Sequence, residues 1–263
     1  MRVDEHLDGL RSAGQRLAEA AAAAGPDSKV PSCPEWMVRD LVRHQGGVHR
    51  WATGYITGPR TEPWDVDLDE VVGTWPDDSE LVSWFADGHA ALVRALSDAD
   101  PGLQCRTFLP APSPLAMWAR RQAHETTIHR VDAELAAGWQ PAAIPADFAA
   151  DGVDELLTCF ITRPGGKLRA EPAVTLRVSC TDHPGAWLVS VEPDRVVTAA
   201  GTDAARPAAA RPAAAQPADC RVTGTASDLY LALWNRQPAG NLAVEGDRGV
   251  FALFADRVKV RWS

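Results

Sequence analysis

The stretch Ala119–Leu135, "ARRQAHETTIHRVDAEL", decides how the first half of the chain is read. It contains His124, Glu125 and His129, which at first sight resemble a zinc-protease motif. That motif, H-E-x-x-H, needs two histidines four residues apart on one helix face. Here the histidines are five apart, roughly 140° around a helix, so they cannot share an ion. Glu125 and His129 are four apart, about 40° around, and do share a face. The stripe extends through Trp118, Gln122, Glu125, His129 and Asp132 at spacings of three and four. Ser113-Pro114 before it and Gly138 after it are start and stop signals, so the segment reads as one long helix. A polar stripe on a helix is ordinarily a solvated face, and Glu125–His129 would then be a surface ion pair.

Working outward, "VPSCPEWMVRDLVRHQGGVHRWA" (residues 30–52) reads as another helix. Ser32 and Glu35 form an S-x-x-E capping box with Pro34 in the first turn. Met37, Leu41, His44, Val48 and Trp51 then recur at helical spacing. Gly46-Gly47 inside this helix is costly by propensity and suggests close approach of a neighbour. His44 sits on the apolar stripe. A lone inward histidine is ordinarily a hydrogen-bonded core residue. Together with Glu125 and His129, however, it would supply two nitrogens and one carboxylate from facing helices. Such a set suits zinc with a fourth position open, and ligand type alone also admits nickel, iron or manganese.

Two more helices complete a four-helix bundle. The first is residues 4–24, closed by Gly25-Pro26. The other is capped by Asp77 or Asp78 and turns Leu81, Phe85, Leu92 and Leu96 inward. Residues 57–76 read as a long connection. The pattern changes near residue 140. A helix over 146–161 is expected, then strands in "AVTLRVSC" and "AWLVSVEP". The Ala/Pro-rich loop 203–218 belongs to a low-complexity run and reads as a surface loop. The end reads strand, helix, strand, helix, strand in "CRVTG", "SDLYLALWNR", "NLAVEG", "DRGVFALFA" and "RVKVRW". The expected fold is α followed by α+β, with a four-helix bundle over 1–142 and a small α+β domain over 143–263.

Composition narrows the function classes. The 263 residues are 46% hydrophobic and 23% charged, ordinary for a globular protein. A net charge of -9 without a basic block disfavours nucleic acid and anionic membranes as partners. No apolar run approaches the roughly 20 residues of a membrane span. Five scattered cysteines without CxxC point to reduced thiols and a cytoplasmic setting.

The two segments 30–52 and 117–135 resemble the signature segments of the actinobacterial mycothiol-dependent maleylpyruvate isomerase family. "VTGTASDLYLALWNR" and "NLAVEGDRGVFALF" resemble its C-terminal domain, related to sterol-carrier-like folds. The resemblance implies a DinB-like N-terminal bundle and a metal triad that falls on His44, Glu125 and His129. It implies zinc and mycothiol as cofactors and, in the C-terminal domain, a substrate-binding arginine whose nearest match is Arg236. Arg236 also ends a helix, where it could interact with the carbonyl dipoles. In the isomerase the thiolate adds to the double bond of maleylpyruvate, the resulting single bond rotates, and loss of the thiol gives fumarylpyruvate. The partners implied are a low-molecular-weight thiol and a small electrophile, with the protein a monomer or weak homodimer. A thiol S-transferase, a water-activating zinc hydrolase or amidase, and a non-catalytic metal-stabilised binding protein are the competing readings.

Around the triad, Asp132 is expected either to hold the free N–H of His129 or to pair with Arg121 or Arg130. Trp36 and Trp51 are expected to pack as buried aromatics, with pocket walls as the alternative. Arg120 and Arg121 are expected at the surface, with neutralisation of an acidic substrate as the alternative. His49 is left outside the site, and His89 is the reserve ligand.

Overall fold

The structure is a computed structural model that describes residues 1–58, 60–63, 66–202 and 218–259. The chain forms two compact units, Met1–Ala142 and Ala143–Ser263.

The first unit is a four-helix bundle with one short extra helix. Helix α1 spans Val3–Ala24 and buries Leu7, Leu10, Leu17 and Ala21, a three/four spacing that sets one face inward. Gly25 closes it at φ 81°, a left-handed conformation that glycine adopts without strain. Helix α2 spans Val38–Thr57, the short α3 Leu68–Val72, α4 Leu81–Asp98 and α5 Pro114–Ala136. The start of α5 is the one expected. Ser113 Oγ accepts from Ala116 N at 3.1 Å, and Pro114 occupies the first turn. Gly138, at φ 71°, lies just past its end. Helix α4 buries Leu81, Phe85, Leu92 and Leu96 as expected.

Two local expectations are corrected. Ser32 does not cap α2. The helix begins six residues later, where Asp40 Oδ2 accepts from Met37 N at 2.9 Å. Residues 30–36 instead form two tight turns, Cys33 N to Val30 O at 3.0 Å and Trp36 N to Cys33 O at 2.8 Å. The link after α2 is also not wholly irregular, since α3 lies within it, started by Asp67 accepting from Glu70 N.

Gly46 has the packing role its cost implied. A Cβ there would lie 2.2 Å from the Trp84 ring of α4. The guanidinium of Arg50 covers that ring at 3.7 Å. It also donates to Gly46 O at 3.1 Å and Trp84 O at 2.8 Å, so α2 and α4 are locked together at this crossing.

A second polar seam lies in the interior of the bundle. His49 Nε2 is 2.9 Å from both Thr126 Oγ1 and Gln45 Nε2, and all three residues are fully buried. His89 stands beside it with ring centroids 5.2 Å apart. Burial holds His49 well below the ordinary histidine range and pushes His89 down to about 4.

The second unit begins with α6, Ala146–Asp154, which continues into a π-helical turn at Glu155–Phe160. Among the described residues five strands follow: β1 Val174–Cys180, β2 Gly185–Val191, β3 Val196–Thr202, β4 Cys220–Gly224 and β5 Ala243–Gly246. Helix α7, Ala226–Leu233, follows β4, and α8, Arg248–Arg257, follows β5. The sheet order is β3-β2-β1-β4-β5. All neighbours are antiparallel except β1 and β4, which run parallel with Val178 opposite Val222. Strand β3 was not expected, because its Val-Val-Thr start runs into the low-complexity segment. Of the Ala/Pro-rich loop expected at 203–218, residues 203–217 lie outside the described residues. The expected final strand over 257–262 does not form where it is described: Arg257 ends α8 and residues 258–259 are irregular. Helix α7 also stops short of Arg236, turned off by Asn235 at φ 61°.

Two outcomes follow. Gly46→Ala should lower stability by about 1–3 kcal/mol through overpacking, despite the gain in helix propensity. A denaturation midpoint at or above that of the parent would mean Trp84 moves aside freely. The depressed histidines bind protons in the unfolded chain below about pH 6.5 but not in the fold. Stability should therefore fall as pH drops from about 6.5 towards about 4, with His89 alone contributing up to about 3 kcal/mol. His89→Gln should lose less stability than the parent between pH 7 and pH 4.5; equal losses would clear His89 of this role.

Candidate metal centre

Helix α5 is not a surface helix. Arg121, Gln122, His124, Glu125, His129, Arg130, Asp132 and Glu134 are all buried, so its charges must find partners inside the protein. Glu125 is therefore not half of a surface ion pair, and Arg121, expected at the surface, is 1% exposed.

His44 of α2 and Glu125 and His129 of α5 converge. One ligand atom from each lies within 4.8 Å of the others. His129 Nε2 is 3.3 Å and His44 Nε2 3.7 Å from Glu125 Oε1. The second separation is too long for a hydrogen bond, and the nearly buried His44 Nε2 has no hydrogen-bond partner. Ligand atoms around a tetrahedral zinc with bonds of about 2.0–2.1 Å stand roughly 3.3 Å apart, close to the spacing here.

Each corner is held from behind. His129 Nδ1 bonds Asp132 Oδ2 at 2.9 Å, which leaves Nε2 aimed at Glu125. The other oxygen of Asp132 accepts from the Ser32 hydroxyl. The tight turns at 30–36 are thus tied to α5 across a hundred residues of sequence. Trp36, in the same turns, lies against both histidines, its centroid 5.0 Å from His44 and 6.0 Å from His129. Glu125 Oε2 accepts from Arg121 Nη2 at 2.8 Å.

The electrostatics follow from these partners. Burial alone would raise the Glu125 carboxyl, but Arg121 and the two histidines together hold it well below the usual carboxylate range. Burial lowers His44. It opposes the charge on His129 too, yet Asp132 and Glu125 outweigh it and His129 is raised. The buried Glu125 carboxylate thus stays charged between a His129 that holds its proton more readily than usual and a His44 that holds it less readily.

Other residues singled out from sequence fall elsewhere. His124 faces α1, where its ring meets His6 edge-on at 5.9 Å. His89 belongs to the seam with His49. Trp51 packs among Tyr55, Phe108 and Trp118. Arg236 is in the second unit, where its Nη1 donates to Trp234 O at 2.8 Å just beyond α7, the carbonyl contact weighed from sequence. None of the five cysteines is in a disulfide, and burial raises the thiols of Cys105, Cys180 and Cys220, Cys180 to about 12. Raised thiols are poor nucleophiles. Sequence reasoning missed Ser32 and Arg121. Ser32 looked like a helix cap, and Arg121 shows its i,i+4 relation to Glu125 but not its burial.

Ser32 and Asp132 should be energetically coupled. In a double-mutant cycle with Ser32→Ala and Asp132→Ala, the single changes should not add, with a coupling of roughly 0.5–3 kcal/mol. Strict additivity would show that the serine does not support the carboxylate.

The comparisons with known proteins agree with this architecture. Residues 7–134 match the sequence profile of the mycothiol maleylpyruvate isomerase N-terminal domain, and residues 147–253 match that of the MDMPI C-terminal domain. No curated protein sequence matches the chain. Its fold is similar to the crystal structure of a mycothiol-dependent maleylpyruvate isomerase, with a TM-score of 0.60, 14% identity and 93% of each chain covered. A histidine-to-alanine mutant of that enzyme gives the same TM-score and coverage at 13% identity. Identities this low speak for the fold alone. No helix among the described residues is long and apolar enough to cross a membrane. With the two profiles accounting for nearly all of its length, the chain belongs to the mycothiol-dependent maleylpyruvate isomerase family.

Proposed function

We propose that this protein is a metal- and mycothiol-dependent cis–trans isomerase acting on a small unsaturated acid of the maleylpyruvate type. The observation that carries the reading is the convergence of His44 Nε2, Glu125 Oε1 and His129 Nε2, with His44 Nε2 buried and unpartnered. Two imidazoles and one carboxylate oxygen are a donor set for zinc that keeps a fourth position open.

A zinc ion held there would supply a position at which a bound thiol is kept as thiolate near neutral pH, ready to add to and leave from an electron-poor double bond. The chain's own residues do the rest. Asp132 fixes the tautomer and ring plane of His129, and Ser32 fixes Asp132. Arg121 holds one oxygen of Glu125 and turns the other to the site. Trp36 covers the two histidines and limits the access of water on that side. Arg236 is the residue proposed to meet a carboxylate of the substrate, which needs its guanidinium to leave Trp234 O. The donor set equally fits a bound hydroxide, but the family profiles favour thiol over water as the fourth ligand.

Purified protein should contain about one zinc per chain, and His44→Ala and Glu125→Ala should lose it. Mycothiol should raise the melting temperature of the metal-loaded protein and not of these variants. Full metal content in both variants would sink the triad. Metal loss without any thiol-dependent stabilisation or isomerisation of maleylpyruvate would sink the thiol reading and leave the metal site standing.

A further inference from the structure

The two oxygens of Glu125 have different surroundings. Oε1 faces the histidines, while Oε2 accepts from Arg121 Nη2 at 2.8 Å. Arg121 lies one turn earlier on α5 and is 1% exposed. Burying a guanidinium costs several kcal/mol unless it is well paired. A helix whose interior needed only packing would have an apolar side chain at that position.

We propose that Arg121 is a positioning residue that restricts Glu125 to single-oxygen coordination, keeping the metal four-coordinate with one exchangeable position for an anionic thiolate. This deepens the metal reading of His44, Glu125 and His129 and rests on it. A carboxylate left free can chelate a cation through both oxygens, which would fill or crowd the position the thiol needs. With Oε2 engaged by a charge-assisted hydrogen bond, rotation into a chelating pose would break that bond inside the protein, where a lost partner is costly.

Charge makes a second, separate case. The carboxylates of Glu125 and Asp132, the guanidinium of Arg121 and a divalent cation leave one net positive charge. One thiolate neutralises it. Without Arg121 the same set would already be neutral, and the thiolate would leave a buried negative charge. Lysine would supply the charge but not the planar fork, so it should restore thiol binding better than coordination geometry.

The test uses the full-length protein with cobalt(II) in place of zinc, since four-coordinate cobalt absorbs visible light much more strongly than five- or six-coordinate cobalt. The parent should give the intense four-coordinate spectrum and shift it on titration with mycothiol. Arg121→Met should give a weaker, five-coordinate spectrum and bind mycothiol about ten- to a hundred-fold less tightly at fixed pH. Arg121→Lys should keep the weak spectrum but recover much of the thiol affinity. Parent-like spectrum and affinity in Arg121→Met would overturn the proposal while leaving the metal centre intact. If that variant does not fold, a parent spectrum in Arg121→Lys overturns the single-oxygen restriction in the same way. Failure of the parent itself to bind cobalt would instead remove the metal reading, and this proposal with it.

Discussion

The constraint on which the first unit depends is that α5 carries its charges into the interior. Glu125, Asp132 and Glu134 are buried on one helix, and an unpaired buried carboxylate is too costly for a marginally stable fold. Each is therefore met by a group from elsewhere in the bundle or from the next turn. Glu134 accepts from Arg16 Nε of α1 at 2.7 Å and from Ala142 N at 3.1 Å. Asp132 accepts from Ser32 and His129. Glu125 accepts from Arg121 and faces two histidines. The packing of α1, α2 and the 30–36 turns on α5 is, in this sense, arranged around its acids.

That arrangement also explains why the site is where it is. The upper part of α2 is drawn against α4 by a glycine that admits the Trp84 ring. Its His44 is left on the α5 side, opposite the pair Glu125 and His129. The turns that precede α2 bring Ser32 and Trp36 to the same place. The candidate donor set comes from two helices and is backed by one loop through Ser32 and Trp36, and such preorganisation lowers the cost of binding.

Much of this was legible in the sequence because helix geometry is local. The 3.6-residue period separates His124 from Glu125 and His129, and the structure points His124 at His6. The serine-proline start and glycine end of α5, the inward stripe of α4 and the close-packing role of Gly46 are likewise short-range signals. The family resemblance stood on two such segments in the first half and two in the second, and is matched by the profiles. Less legible was β3, whose few β-branched residues give way to alanines, so that pairing with β2 rather than composition makes it a strand. The segment 257–262 alternates like a strand, yet Arg257 still belongs to α8 and residues 258–259 are irregular, since alternation alone supplies no strand partner.

By itself the sequence determined the helical phases, the two-part architecture and the candidate ligand triad, since each depends on spacing along one element or on a family-like motif. Only the tertiary structure decided which polar residues are interior. Ser32 has the pattern of a cap, Arg121 that of a surface charge and His89 that of a spare ligand. Their roles are set by partners on other elements, or by burial, that no local spacing encodes. The difference is physical: a helix repeats every few residues, whereas the cost of burying a charge depends on everything packed around it.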